Sequence, residues 1–79
     1  MPMYFPHTIK RFRLISGYSQ KDMAGYLGVA VSTYKNWELR KALPNAEHRT
    51  VMRVLLPTIW DTLQTAYLRD AGVEPPPPI

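Results

Sequence analysis

The sequence predicts a single all-α domain, a compact five-helix bundle with an extended, Pro-rich C-terminal tail. Apolar residues recur at the three- and four-residue spacing of helices, and no segment alternates apolar and polar residues as a strand would. Glycine, asparagine and proline residues divide this pattern into short segments. With 79 residues, of which 46% are hydrophobic, the chain has material for one hydrophobic core.

The first two helices are predicted on either side of a glycine. Residues 8–16 place Ile9 and Phe12 on one face, and Gly17 ends this helix because glycine readily takes the left-handed conformation of a helix C-terminus. The second helix begins at a capping box, in which Ser19 caps and Asp22 follows three residues later. Its inner face carries three apolar residues, Met23, Ala24 and Leu27.

Three further helices are predicted, from about Ala30 to Leu39, over residues 46–56, and from Thr58 to about Asp70. Pro44 and Asn45 mark the turn before the fourth helix, and Pro57 interrupts the pattern before the fifth. The tail, residues 73–79, reads VEPPPPI and predicts an extended polyproline segment. We therefore assign residues 1–72 to the folded domain.

The connection between the second and third helices is very short. Gly28, Val29 and a capping residue join them, so the two helices must cross sharply. Gly28 supplies the positive φ angle that such a turn requires, and the small side chain of Ala24 permits close approach. This spacing indicates a helix-turn-helix. The alternative at this point is an ordinary helical hairpin within a bundle.

The same region resembles a known family. Residues 19–29, SQKDMAGYLGV, are similar to the segment S-Q-x-x-L-A-x-x-L-G-V of lambda-repressor/Cro-like helix-turn-helix regulators, the xenobiotic-response-element type. Upstream, residues 9–18 resemble the first helix of that family. Downstream, Trp37, Glu38 and Pro44 stand where the family has W-E-x-G-x-x-x-P. The resemblance covers roughly residues 8–45 and implies a DNA-binding helix-turn-helix.

The chain departs from the family pattern at three positions. Arg40 stands in place of the usual glycine after the third helix, so that helix needs a different stop. Ala30 replaces the Ser or Thr that commonly caps the third helix. Gly25 lies inside the second helix, where glycine costs about 1 kcal/mol relative to alanine.

The charge of the chain is concentrated in its first two thirds. Residues 1–53 hold nine Lys and Arg residues against three Asp and Glu residues, and residues 54–79 hold one against three. The net charges of +6 and −2 add up to the overall +4. A basic body with an acidic end fits a polyanionic partner for the first part alone, although many small solvated domains are basic as well.

A helical wheel divides the third helix into two sides. Ala30, Tyr34 and Trp37 fall on one side, which we expect to face the core. Leu39 lies on the other side together with four candidates for contact with bases in the major groove, Val31, Ser32, Lys35 and Asn36. Asn36 suits adenine, Ser32 suits several bases, Val31 suits a thymine methyl group, and Lys35 suits guanine or a phosphate. The alternative for each is a solvated surface side chain.

Candidate phosphate contacts lie on both sides of the third helix. Ser19 and Gln20 stand at the N-terminus of the second helix, where unpaired N–H groups favour an anion, and the family resemblance implies a backbone contact by Gln20. The other candidates flank the third helix, namely Thr33, Arg40 and Lys41. The resemblance also implies that Arg13 pairs with Glu38 and tethers the third helix to the first.

The sequence does not indicate a metal site, an enzyme or a membrane protein. The chain has no cysteine and two distant histidines, which gives poor odds for a metal site. The acidic residues show no catalytic spacing, and no glycine-rich phosphate loop is present, so we expect no enzyme, cofactor or small-molecule ligand. No apolar run approaches the roughly 20 residues that cross a bilayer, and the first residues lack the order of a signal peptide. We expect a cytoplasmic protein without a membrane partner.

These observations lead us to expect a transcriptional regulator of phage, plasmid or bacterial origin, acting as a homodimeric repressor on a palindromic operator in double-stranded DNA. Dimerisation is expected through residues 46–71, because residues 51–56 are too apolar for a helix with one face in water. The expected interface residues are Leu56, Ile59, Trp60, Leu63, Tyr67 and Leu68. The alternative is an antitoxin or other interaction module that neutralises a partner protein through its C-terminal helices.

Overall fold

A computed structural model describes residues 4–72 and contains five α-helices and no strand within them. The helices are α1 (Tyr4–Ile15), α2 (Gln20–Leu27), α3 (Val31–Glu38), α4 (Ala46–Leu55) and α5 (Trp60–Asp70). The prediction of an all-α bundle of five helices is confirmed. The predicted polyproline tail, residues 73–79, lies outside the described residues.

Every helix contributes to one apolar core. α1 packs against α5 and α3, while α2 packs against α3 and α4. Tyr34 and Trp37 lie at the centre of the core with their rings in an edge-to-face arrangement, 5.8 Å between centroids. The remaining core residues are Phe5, Ile9, Met23, Ala24, Leu27, Met52, Leu56, Leu63 and Ala66.

The first helix begins at Tyr4, four residues before the predicted start. Its N-terminus is capped from the far end of the chain, because the Asp70 carboxylate accepts hydrogen bonds from the backbone N–H groups of Tyr4 (2.8 Å) and Phe5 (2.7 Å). Pro6 is compatible with this start, since the first turn of a helix needs no N–H donor there. The early start therefore depends on a residue 65 positions away, which no local pattern reveals.

The turn between α2 and α3 has the expected tight geometry. Gly28 adopts a left-handed conformation with φ +70°. The N–H of Val29 donates to the carbonyl of Ala24 at 3.0 Å, and the N–H of Gly28 donates to that of Gly25 at 3.2 Å. This pair of bonds is the Schellman arrangement, which ends a helix and redirects the chain.

The third helix ends in the same way but without a glycine. Arg40 takes the left-handed conformation, with φ +65°, at the position where the family has glycine. The N–H of Lys41 donates to the carbonyl of Asn36 at 2.9 Å, and the N–H of Arg40 donates to that of Trp37 at 3.4 Å. A non-glycine residue pays a steric cost in this conformation because its Cβ approaches the backbone. The hydrogen bonds of the cap offset that cost.

The last two helices are slightly shorter than predicted. The side chain of Asn45 caps α4 by accepting a hydrogen bond from the N–H of His48 at 2.8 Å, and α4 ends at Leu55. After Pro57 the chain makes a turn, with the N–H of Ile59 donating to the carbonyl of Leu56 at 3.2 Å. Helical geometry therefore resumes at Trp60 and not at Thr58.

The strained cap of α3 predicts that Arg40→Gly stabilises the protein. Glycine adopts the left-handed conformation without a Cβ clash, and part of the gain is lost because glycine is more flexible in the unfolded chain. We expect the free energy of unfolding to rise by about 1 kcal/mol, or roughly 4–8 °C in Tm for a domain of this size. Thermal unfolding followed by circular dichroism measures the change.

Arg40→Ala is the control, because it removes the charge but keeps the Cβ. Its Tm should stay close to that of the parent chain. A glycine variant no more stable than the alanine variant would show that the left-handed residue carries no strain.

Candidate nucleic-acid interface

A buried carboxylate ends α3 and is bound by side chains from three helices. The side chain of Glu38 is only 4% exposed, and that of Arg13, from α1, is 10% exposed. Arg13 donates from Nε to Oε2 at 2.7 Å and from Nη2 to Oε1 at 3.1 Å. Gln20 of α2 donates from Nε2 to Oε1 at 3.1 Å, and the Tyr34 hydroxyl donates to Oε2. We call these four residues the Glu38 cluster.

The Glu38 cluster also reaches the loop between α1 and α2, because Arg13 donates from Nη1 to the carbonyl of Tyr18 at 3.0 Å. An ion pair removed from water stabilises a fold only when its remaining donors and acceptors find partners. Within residues 4–72, no buried side-chain nitrogen or oxygen lacks a hydrogen bond. The structure thus brings Arg13 and Glu38 together and surrounds them with further donors.

The surroundings of Glu38 favour its charged form. Burial opposes ionisation, but the hydrogen bonds from Arg13, Tyr34 and Gln20 outweigh it and hold the pKa of Glu38 below its ordinary value of 4.5. Burial and the hydrogen bond to Glu38 raise the pKa of Tyr34 far above its ordinary value of 10. Tyr34 therefore remains a neutral donor to a charged carboxylate throughout the neutral pH range.

The sequence did not lead us to expect Tyr34 and Gln20 beside Glu38. Tyr34 lies four residues before Glu38 and thus on the same helix face, a spacing that could have indicated the pair. Gln20 carries no such signal, because its approach to Glu38 depends on how α2 crosses α3. Its side chain, expected at a phosphate, donates one amide hydrogen to Glu38. The amide group has a second hydrogen, which is the one available to a phosphate.

The outward side of α3 is narrower than the wheel predicted. Ser32 and Lys35 are exposed, Asn36 is half-buried, and these residues follow one another at helical spacing. Val31, expected on this side, is partly buried and packs against the core. Thr33 is also half-buried. Val31 turns inward because it lies about 100° around the helix from Ser32, so its contribution to an outward face is reduced.

The remaining phosphate candidates lie at the two ends of the helix-turn-helix. At the start of α2, the Ser19 hydroxyl accepts a hydrogen bond from the N–H of Asp22 at 2.9 Å, and the Asp22 carboxylate accepts one from the N–H of Ser19 at 3.1 Å. These backbone and side-chain hydrogen bonds with Ser19 lower the pKa of Asp22. Beyond α3, Arg40 and Lys41 are both exposed.

The expected dimer residues divide into buried and half-buried groups. Leu56 is 4% exposed and Leu63 is fully buried, so both belong to the core of a single chain and offer no surface to a second copy. Their apolar side chains are covered by the chain itself, which corrects the expectation that these two residues contact a second copy. The expected interface residues that keep some exposure are Ile59, Trp60, Tyr67 and Leu68.

Tyr67 has a structural partner that the sequence analysis missed. The Arg49 guanidinium lies over the Tyr67 ring at 4.1 Å from the centroid, and Arg49 Nη1 donates to the Tyr67 hydroxyl at 2.8 Å. The same nitrogen donates to the carbonyl of Pro44 at 2.8 Å. Arg49 therefore joins the loop after α3 to α5, and its charge is engaged within the fold.

The Glu38 cluster predicts a specific pH dependence of stability. Because the pKa of Glu38 is lowered by folding, its contribution is complete above pH 4.5 and is lost as the pH falls through the folded-state pKa. Glu38→Gln removes this contribution and leaves Arg13 without its counter-charge, a loss of about 3 kcal/mol at pH 7. The difference in unfolding free energy between parent and variant should narrow between pH 5 and pH 3, as measured by urea unfolding.

Asp22 is unchanged in both proteins, so its own titration cancels from the difference. Tyr34→Phe removes one donor but keeps the ion pair, and it should cost only about 1 kcal/mol. A difference between parent and Glu38→Gln that stays constant down to pH 3 would show that Glu38 is not held in its charged form.

Comparison with known proteins agrees with this geometry. A helix-turn-helix family model matches residues 9–48, just over half of the chain. A search of curated proteins and a search of solved structures each found no significant match. Within residues 4–72, no helix is both long and apolar enough to span a membrane. On the match over residues 9–48, and with the tight turn between α2 and α3, the chain belongs to the lambda-repressor/Cro-like helix-turn-helix family.

Proposed function

We propose that this DNA-binding helix-turn-helix regulator is a repressor that binds a palindromic operator as a homodimer. The observation that carries the proposal is the outward face of α3, where Ser32, Lys35 and Asn36 present hydrogen-bonding groups to solvent. The opposite face of the same helix, Tyr34 and Trp37, is buried. A helix with one face fixed in the core and the other polar and exposed is suited to the major groove.

Each outward side chain has a chemical preference among base edges. The Asn36 amide can bind adenine in the bidentate manner that specifies this base, with its nitrogen donating to N7 and its oxygen accepting from the N6 amino group. Ser32 both donates and accepts and therefore suits several bases. Lys35 donates to guanine or to a phosphate. Val31, which is half-buried, reaches the groove only at the edge of this face.

Phosphate contacts on both sides would fix the helix in register. On the α2 side, Ser19 and the second amide hydrogen of Gln20 lie at a helix N-terminus, where the dipole favours an anion. On the other side of α3, Thr33, Arg40 and Lys41 would contact the phosphates of the DNA backbone. Such contacts orient the protein on the duplex without reading its sequence.

The length of α3 argues for two copies on one site. Eight residues span about 12 Å, which corresponds to roughly three or four base pairs at 3.4 Å each. A site of three or four base pairs recurs many times in a genome, so contacts by one helix do not specify a single operator. A two-fold dimer reading two half-sites about 34 Å apart doubles the specified sequence and requires a palindrome.

The second copy is proposed to pack on the partly exposed apolar residues of α5 and the turn before it. Ile59, Trp60 and Leu68 remain half-buried in the single chain, and Val54 on α4 is 66% exposed. Residues 54–79 have a net charge of −2, so phosphates repel this part of the chain and it suits a surface away from DNA. Occupation of an operator that overlaps a promoter would exclude polymerase, and this steric effect requires only DNA binding, so the proposed output is repression.

The antitoxin alternative uses the same C-terminal helices for a different protein. The two functions can coexist, and substitutions on the surfaces of α3 and α5 distinguish them. Loss of function through α3 supports DNA binding, and loss of function through α5 alone supports neutralisation of a partner protein.

Asn36→Ala is predicted to relax specificity at one base position. Loss of a bidentate base contact should cost about 1–3 kcal/mol on the preferred duplex and much less on unrelated duplexes. The preferred duplex is obtained by selection from a randomised pool with the parent chain, and affinities are measured by gel shift at fixed salt. Both affinities should also fall steeply as salt is raised.

Thr62→Ala is the control, because Thr62 is exposed on α5, outside the proposed groove contacts and away from the helix face of Trp60 and Leu68. It should bind like the parent chain. Equal loss of affinity in both variants, or none in either, would contradict the proposed docking of α3.

The proposed dimer predicts a concentration-dependent mass. Sedimentation of the parent chain at micromolar concentration should give a species of twice the 9.1 kDa monomer mass. Leu68→Glu should shift the equilibrium to monomer, because a charge would be buried against the partner. Thr62→Glu places the same charge on an exposed position of α5, about 160° around the helix from Trp60 and about 120° from Leu68, and should leave the dimer intact. A 9.1 kDa species for the parent chain at all concentrations would defeat the preformed dimer.

A further inference from the structure

The outward face of α3 includes one large apolar side chain that the fold does not use. Leu39 is 58% exposed and directly follows the last helical residue, Glu38. Its N–H donates to the carbonyl of Lys35 at 2.9 Å, and its φ and ψ of −85° and 3° keep it close to helical geometry. Leu39 therefore continues the register of α3 even though it caps the helix.

That register places Leu39 in line with the proposed base contacts. Ser32, Lys35, Asn36 and Leu39 stand at positions i, i+3, i+4 and i+7, which share one face of a helix. Leu39 lies near the midline of this face, directly along the helix from Ser32. Val31 lies off the midline and packs against the core. Among these residues, Leu39 is thus the apolar one that faces outward.

The backbone after Leu39 makes it the last side chain of the face. Arg40 takes the left-handed conformation, with φ +65°, and turns the chain away from the helix axis. The exposed cations Arg40 and Lys41 follow at once, so Leu39 lies between polar base-reading groups and basic residues suited to phosphates. An apolar side chain between these two groups would be close to the base edges when the cations reach the backbone.

We infer that Leu39 is a specificity-determining residue that contacts the C5-methyl group of a thymine in each half-site. The methyl group of thymine is the apolar feature on the major-groove edges of the four bases. Leu39 lies about 10 Å along the helix from Ser32. If the axis follows the groove, this thymine is about three base pairs from the one nearest Ser32. The inference rests on the proposed function and extends it by one residue and one base.

The test removes the thymine methyl group from the DNA and the leucine side chain from the protein, one at a time. The parent chain first selects a duplex from a pool with 20 randomised base pairs, and each thymine of that duplex is then replaced by deoxyuridine, which differs only by the methyl group. For one thymine in each half-site, replacement should weaken binding of the parent chain about fourfold, the effect expected for losing burial of one methyl group. Leu39→Ala should bind the thymine and deoxyuridine duplexes equally well.

Leu14→Ala provides the matched control, because Leu14 is 59% exposed at the end of α1. This variant should discriminate between thymine and deoxyuridine like the parent chain. Circular dichroism checks that Leu39→Ala is folded, which is expected since the side chain is largely in solvent.

The outcomes separate this inference from the proposed function. Selection of a defined duplex on which parent and Leu39→Ala respond identically to every deoxyuridine would overturn the role of Leu39 and leave DNA recognition standing. Failure of the parent chain to enrich any sequence would overturn both. Loss of discrimination in Leu14→Ala as well would also overturn the inference, because the effect would then not belong to Leu39.

Discussion

A carboxylate removed from water needs several hydrogen-bond donors at once, and this requirement at Glu38 organises the helix-turn-helix. The donors come from α1, α2 and α3, so the three helices must adopt one mutual arrangement for the charge to be satisfied. Hydrophobic packing alone tolerates small shifts between helices, since apolar contacts have no direction. The fixed geometry of a guanidinium–carboxylate pair removes that tolerance. The orientation of α3 is therefore set by hydrogen bonds at its end as well as by the core beneath it.

The third helix combines two tasks in eight residues. Its inner face supplies the largest buried side chains of the fold, Trp37 and Tyr34, and its outer face supplies the proposed reading groups. A helix this short is not stable by itself in water, so its conformation depends on the inner face and on the caps at its ends. Edge-to-face contact of Trp37 with His48, at 5.4 Å between centroids, extends this support to α4. Side chains on the outer face can consequently vary without loss of the fold.

Features with a local cause were predictable from the sequence, and features that depend on distant contacts were not. Neighbouring residues determine the capping box at Ser19 and Asp22 and the left-handed conformation of Gly28. The family resemblance indicated the helix-turn-helix, which the family model matches over residues 9–48. The start of α1 depends on Asp70, and the hydrogen bond of Gln20 depends on a helix crossing. Composition alone did not show which of residues 51–56 the chain itself covers, since Met52 and Leu56 are buried in the single chain and Val54 is 66% exposed.

Arg40 shows how one departure from the family pattern is accommodated. The sequence raised the question of how α3 ends without glycine, and it could not supply the answer because most residues avoid the left-handed region. Two backbone hydrogen bonds hold the residue there. An arginine at this position places a cation beside the outer face of α3, which a glycine cannot do. A cost in stability and a charge suited to phosphate thus occur at the same residue.

The cap that Asp70 provides for α1 has a consequence for the order in which the protein can fold during synthesis. The ribosome makes Tyr4 and Phe5 first and Asp70 some 65 residues later, yet the first turn of α1 is completed only by that carboxylate. α1 also packs against α5. While α5 is still inside the exit tunnel, the nascent chain therefore lacks both the cap and part of the packing surface of its first helix. The bundle that supports the helix-turn-helix can therefore be completed only after α5 has left the tunnel.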